Sequence, residues 1–85
     1  MRVVMMYRAL SEHRRPVEDF LYEFERRTGK VIETLDPDSR EGTDFARTYD
    51  IVEYPTMIAM SEDGQMQSMW RGLPLPTLSE VSYYA

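Results

Sequence analysis

The apolar residues of this chain follow two spacings, and the switches between them divide it into elements. Residues 2–7, RVVMMY, form a run of β-branched and long apolar side chains over strand length, which predicts a buried strand. Val17, Phe20, Leu21 and Phe24 then recur at i, i+3, i+4 and i+7, the apolar stripe of an amphipathic helix. Pro16 suits the first turn of that helix, Glu18 and Asp19 suit the positive end of its dipole, and Gly29 suits a left-handed stop. VIETLD, 31–36, predicts a second strand, and the Pro, Asp, Ser and Gly of PDSREG, 37–42, predict a loop. A shorter helix with Thr43 as its N-cap follows, turning Phe45, Ala46 and Tyr49 inward and stopping near Asp50.

Two further strands, TMIAMS at 56–61 and QMQSMW at 65–70, are joined across Asp63-Gly64, a pair that favours a tight hairpin because such turns need positive φ. Met66, Ser68 and Trp70 share one face of the last strand, and Gln65, Gln67 and Met69 share the wetter one. TLSE at 77–80 is a capping box opening a short helix with Leu78 and Val81 inward. The predicted order is β-α-β-α-β-β-α. A right-handed crossover makes the first two strands parallel, the hairpin makes the last two antiparallel, and the result is an α/β fold with a four-stranded mixed sheet flanked by helices.

Composition narrows the chemistry. Eighty-five residues are expected to form one domain, 1–85, with ten aromatic side chains available to a core that small domains build from roughly 60 to 65% burial of their surface. No residue is a cysteine, which removes disulfides, thiolate metal sites and thiol mechanisms together. No apolar run approaches a membrane span and none resembles a secretory signal, so a cytoplasmic protein without membrane contact is expected. Residues 31–63 carry nine acidic side chains against Arg40 and Arg47, within a net charge of −5, and a field of that sign argues against nucleic acid as a partner.

With these elements in order, residues 42–64, GTDFARTYDIVEYPTMIAMSEDG, carry a resemblance. A helix, YDI, a short connection, YPT, an apolar strand and an Asp-Gly hairpin resemble the thioredoxin/glutaredoxin family, and Gly72 stands where that family keeps a glycine. The resemblance spans essentially the whole chain and implies a thioredoxin-like fold. It implies a cis bond before Pro55, with the Tyr54 main chain offered to an extended peptide. The family's C-x-x-C motif sits between the first strand and its helix, where free N–H groups and the dipole stabilise a thiolate. Here that slot reads Ser11-Glu12-His13-Arg14, with Ser11 at the attacking and Arg14 at the resolving position. A hydroxyl cannot replace a thiolate in disulfide exchange, so the family's redox activity is not expected.

Other chemistry is thinly supported. Ser11 and His13 lie two apart on a turn with only Glu12 beside them, a poor basis for a serine nucleophile; a capping Ser11 and a surface His13 explain the same residues. One histidine and scattered carboxylates have no metal-ligand spacing, and Asp36, Asp38, Glu41 and Asp44 read as a solvated acidic rim rather than a calcium loop. The methionines read as core filling, and Trp70-Arg71 as either a recognition patch or a half-buried core position. The expected function is therefore a redox-inactive module, not an enzyme and without a cofactor or metal, that binds a protein or extended peptide. Its expected contacts are Ser11, His13, Arg14, Tyr54, Pro55, Arg71, Gly72 and Leu73, with Arg14 and Arg71 attracting an acidic or C-terminal carboxylate. Two alternatives accompany it: a glutathione-binding or thiol-handling enzyme using Ser11 or Tyr7, and a structural subunit of a homo- or hetero-oligomer.

Overall fold

The computed structural model describes residues 2–85. Its order is β1 (Arg2–Met6), α1 (Arg14–Thr28), β2 (Glu33–Leu35), α2 (Arg40–Thr48), β3 (Thr56–Met60), β4 (Met66–Arg71) and α3 (Leu78–Ser82). The four strands make one mixed sheet in the order β2-β1-β3-β4, with β1 parallel to β2 and antiparallel to β3, and β4 antiparallel to β3. Both inner strands read as continuous apolar runs because helices cover both sheet faces. Val3, Met5, Met57 and Ala59 point to the side of α1 and α3, where they meet Val17, Phe24 and Val81. Val4, Met6, Ile58 and Met60 point to the side of α2, where Phe45, Ala46 and Tyr49 pack partly buried over them. Met5, Met6, Met57 and Met60 fill these two cores, whereas Met66 is exposed.

The element ends differ from their sequence expectations where local hydrogen bonding intervenes. Helix α1 begins at Arg14, two residues before Pro16, with His13 as N-cap and no side-chain capping bond; its first turn holds no acid. Glu18 instead lies a turn further on, within 3.7 Å of Arg14. Gly29 closes α1 in the left-handed region, its N–H donating to Glu25. The α2 cap is Ser39 rather than Thr43: the Ser39 hydroxyl accepts from the Gly42 N–H, while the Thr43 hydroxyl donates to the Pro37 carbonyl at 3.0 Å. The acidic loop before α2 is self-structured, since Asp36 Oδ1 accepts from the Asp38 N–H at 2.8 Å. The hairpin also holds a register shift beside Ala59 and Met60, so β4 does not alternate evenly along its length. Trp70 packs partly buried against the α1 and α3 core, 5.6 Å edge-to-face from Tyr84, and Met69 against the other. The Thr77–Glu80 capping box forms as expected. No helix among the described residues is long and apolar enough to cross a membrane.

Two positions test this packing. A β-carbon on Gly42 would stand 1.9 Å from the Asp36 carbonyl oxygen, so Gly42→Ala is expected to cost about 2–3 kcal/mol by urea unfolding. Asp50, at φ 56, is the one non-glycine at positive φ among the described residues, and Asp50→Gly is expected to raise stability by about 0.5 kcal/mol. An unchanged midpoint for Gly42→Ala would mean that α2 does not press on Asp36.

Candidate functional site

The end of α2 sets the position of the loop that follows. The Ile51 N–H donates to the Ala46 carbonyl at 2.8 Å and the Asp50 N–H to that of Arg47 at 3.4 Å, with Asp50 left-handed between them. These are the paired bonds that close a helix and reverse its chain, and the buried Ile51 packs into the same core as Ala46. From that anchor the chain runs through Val52, Glu53 and Tyr54 to Pro55, which is fully buried, and the Tyr54–Pro55 bond is cis. The Thr56 hydroxyl donates back to the Glu53 carbonyl and the Tyr54 hydroxyl to that of Ile51, tightening the bend. Across from it, the Gly72 N–H donates to the Pro55 carbonyl at 2.7 Å. Gly72 holds φ 69, a conformation that suits glycine, and the next bond but one, Leu73–Pro74, is also cis.

The turn between β1 and α1 closes the other side. The Ser11 hydroxyl donates to the Arg8 carbonyl at 2.5 Å, and the Arg8 N–H donates to His13 Nε2 at 3.2 Å, which places the imidazole proton on Nδ1. Burial, and then the Arg8 charge, hold the His13 pKa below its ordinary 6.5. The Arg8 guanidinium pairs with both Asp38 oxygens, at 3.0 and 3.3 Å, and its carbon lies 4.9 Å from the centre of the Tyr54 ring. One arginine thereby joins the β1–α1 turn, the β2–α2 loop and the Pro55 loop.

These segments enclose an open groove of about 430 Å³ lined by Glu12, His13, Glu53, Tyr54, Pro55, Gly72 and Leu73. Five of the eight residues expected at a site therefore come together. Ser11 does not line it, because its hydroxyl is spent on the turn, and Glu12 and His13 stand there instead. The helix N-terminus, where a thiolate would be stabilised, likewise falls at His13 rather than Ser11. Arg14 is drawn to Glu18, and Arg71 points along β4, its Nε 3.2 Å from Met69 Sδ, so neither arginine lines the groove. Sequence reasoning missed Arg8, Glu12, Asp38 and Glu53. Glu12 and Glu53 adjoin expected residues, but nothing in the chain announces the pairing of Arg8 with a residue thirty positions away.

What the groove offers is main chain. The Tyr54 N–H and C=O form no hydrogen bond within the described residues, and both remain for solvent or a bound chain. Side-chain chemistry is weaker. The Tyr7 hydroxyl donates to Glu18 at 3.2 Å, and burial followed by the Glu18 charge pushes its pKa up, opposite to what an activated phenol needs. Other hollows exist, including one of about 480 Å³ at the hairpin turn lined by Ser61, Glu62, Asp63 and Gln65, which is the concavity of an exposed turn.

A mixed sheet between one helix and two, with a cis proline entering β3, defines this protein as a three-layer α/β domain. More particularly, it has the thioredoxin fold. Mitochondrial thioredoxin 3 from Saccharomyces cerevisiae, in its oxidised form, superposes with a TM-score of 0.69 at 17% identity, covering 95% of this chain and 72% of that one. Thioredoxin 1 from the thermophilic eubacterium Thermosipho africanus TCF52B superposes with a TM-score of 0.67 at 13% identity, covering 99% of this chain and 89% of that one. No family model matches the sequence, and no curated protein matches it. The fold is shared without the sulfur: the chain contains no cysteine, and its residues cannot carry out thiol–disulfide exchange.

The His13 contact has a pH consequence. Above about pH 6.5 folded and unfolded chains both carry a neutral imidazole; as pH falls below that value the unfolded chain binds the proton first, and stability declines until the folded pKa is passed. An NMR titration of the ring is expected to give a midpoint below 6.5, with the Arg8 amide resonance moving in step. A midpoint at or above that value would contradict the Arg8–His13 bond.

Proposed function

We propose that this chain is a redox-inactive binding module that takes an extended segment of a partner protein into the groove at Pro55. The unpaired Tyr54 main chain carries this reading, because an N–H and a C=O left open beside a fully buried proline are a short strand edge held ready for another chain. Roles follow from position. Tyr54 supplies the hydrogen bonds, Pro55 fixes the bend, and Gly72 lets β4 approach without a side chain. Leu73, 54% exposed, offers apolar contact, while Glu12 and His13 form the opposite wall.

The thiol-handling alternative loses ground on the same geometry, because both hydroxyls it would use, those of Ser11 and Tyr7, are donating to acceptors within the chain. Magnitudes set the expected affinity. Main-chain hydrogen bonds contribute on the order of 1 kcal/mol each and one apolar contact about 2 kcal/mol, about 4 kcal/mol together, which places a short peptide at a dissociation constant of roughly 1 mM or weaker. Titration of isotope-labelled protein with an extended capped peptide is expected to move the amide resonances of His13, Tyr54, Thr56, Gly72 and Leu73. Shifts confined to residues 36–44, the acidic loop and the start of α2, would overturn the assignment.

A further inference from the structure

We infer that the groove selects an extended segment carrying a lysine or arginine, rather than the acidic or C-terminal carboxylate that the sequence suggests. The inference rests on the binding reading above and adds the chemical class of its partner. Two acidic residues, Glu12 and Glu53, line the groove, and no lysine or arginine does. Neither forms an ion pair or a side-chain hydrogen bond among the described residues, whereas Glu18, Glu23, Glu33, Asp38 and Asp44 are each within ion-pair distance of an arginine. The Glu53 carboxylate lies over Gly72, for a β-carbon there would stand 2.6 Å from Glu53 Oε2. It is therefore turned toward the bond between Gly72 and Pro55, beside the free main chain of Tyr54.

No cation offsets these two acids from within the groove. Arg8 is committed to Asp38 and to the face of Tyr54, and Arg14 and Arg71 lie outside the lining. His13 accepts a hydrogen bond from the Arg8 N–H through Nε2 and is neutral at pH 7. A net charge of −5 over the chain reinforces the local sign at longer range. A lysine or arginine in the bound segment would meet Glu53 on one side and Glu12 on the other, and an acidic residue would be repelled by both.

The test uses the whole chain and three capped eight-residue peptides, identical except for a central Lys, Gln or Glu. The lysine peptide is expected to bind about three- to tenfold more tightly than the glutamate peptide at low ionic strength, with the glutamine peptide between them, and added salt should narrow the spread. Glu53→Gln and Glu12→Gln should each reduce the lysine-to-glutamate ratio. Glu25→Gln, about three turns further along α1, should leave it unchanged. Equal affinity for the lysine and glutamate peptides, with amide shifts still centred on Tyr54 and Gly72, would overturn the charge selection and leave the groove reading standing. Failure of all three peptides to move those resonances would overturn both.

Discussion

The hydrogen bond from the Gly72 N–H to the Pro55 carbonyl, 2.7 Å long, is the contact on which the site depends. It ties the residue entering β3 to the residue leaving β4, at the end of the sheet where the chain must bend on both sides. Gly72 can make it because φ 69 costs a glycine little and because a side chain there would collide with Glu53. Behind the bond stand β3, buried at every position, and the fully buried Pro55. The groove is thus an outgrowth of the core, and its floor is as rigid as the sheet that supports it.

Around that floor the loops are fastened by polar contacts of unequal strength. The α2 end is anchored by backbone bonds and the buried Ile51, which sets the start of the Pro55 loop firmly. The β1–α1 turn is held by Ser11, by His13 and by the Arg8 pair with Asp38, all partly exposed, and such contacts are individually weak. In the proposed reading this division is useful: the main-chain edge at Tyr54 is presented by the stiffer side, and the wall formed by Glu12 and His13 has freedom to adjust to the side chain it receives.

The fold was legible because its signals are repeated. Short apolar, β-branched runs of strand length marked the strands, alternation marked the two faces of the last one, Asp63-Gly64 marked the hairpin, and Thr77 with Glu80 marked the last helix. Helix starts were harder to read, since several polar residues compete for each cap. Thr43 looked like the cap of α2, but Ser39 takes that place: its hydroxyl accepts from the N–H of Gly42, a residue that lies close to the Asp36 carbonyl, while the Thr43 hydroxyl donates to the Pro37 carbonyl. The same uncertainty shifted the site. With α1 beginning at Arg14, Glu12 and His13 face Pro55 and Ser11 turns away. Arg14 and Arg71, expected from sequence to attract an acidic or C-terminal carboxylate, are engaged along their own helix and strand. Charge near a groove is set by pairings between distant residues, such as Arg8 with Asp38, that sequence spacing does not encode.

In the proposed reading, a thioredoxin fold without cysteine offers a groove to a peptide and lacks the sulfur that thiol–disulfide exchange requires. On this account the shape exists before any partner arrives. Amide hydrogen exchange in the free protein tests that most directly, by comparing Gly72 with the β3–β4 ladder. The account predicts that the Gly72 amide exchanges as slowly as the strand amides beside it. Exchange at the rate of the exposed Ser61–Gln65 turn would show that the floor of the groove is not held in advance, and would contradict it.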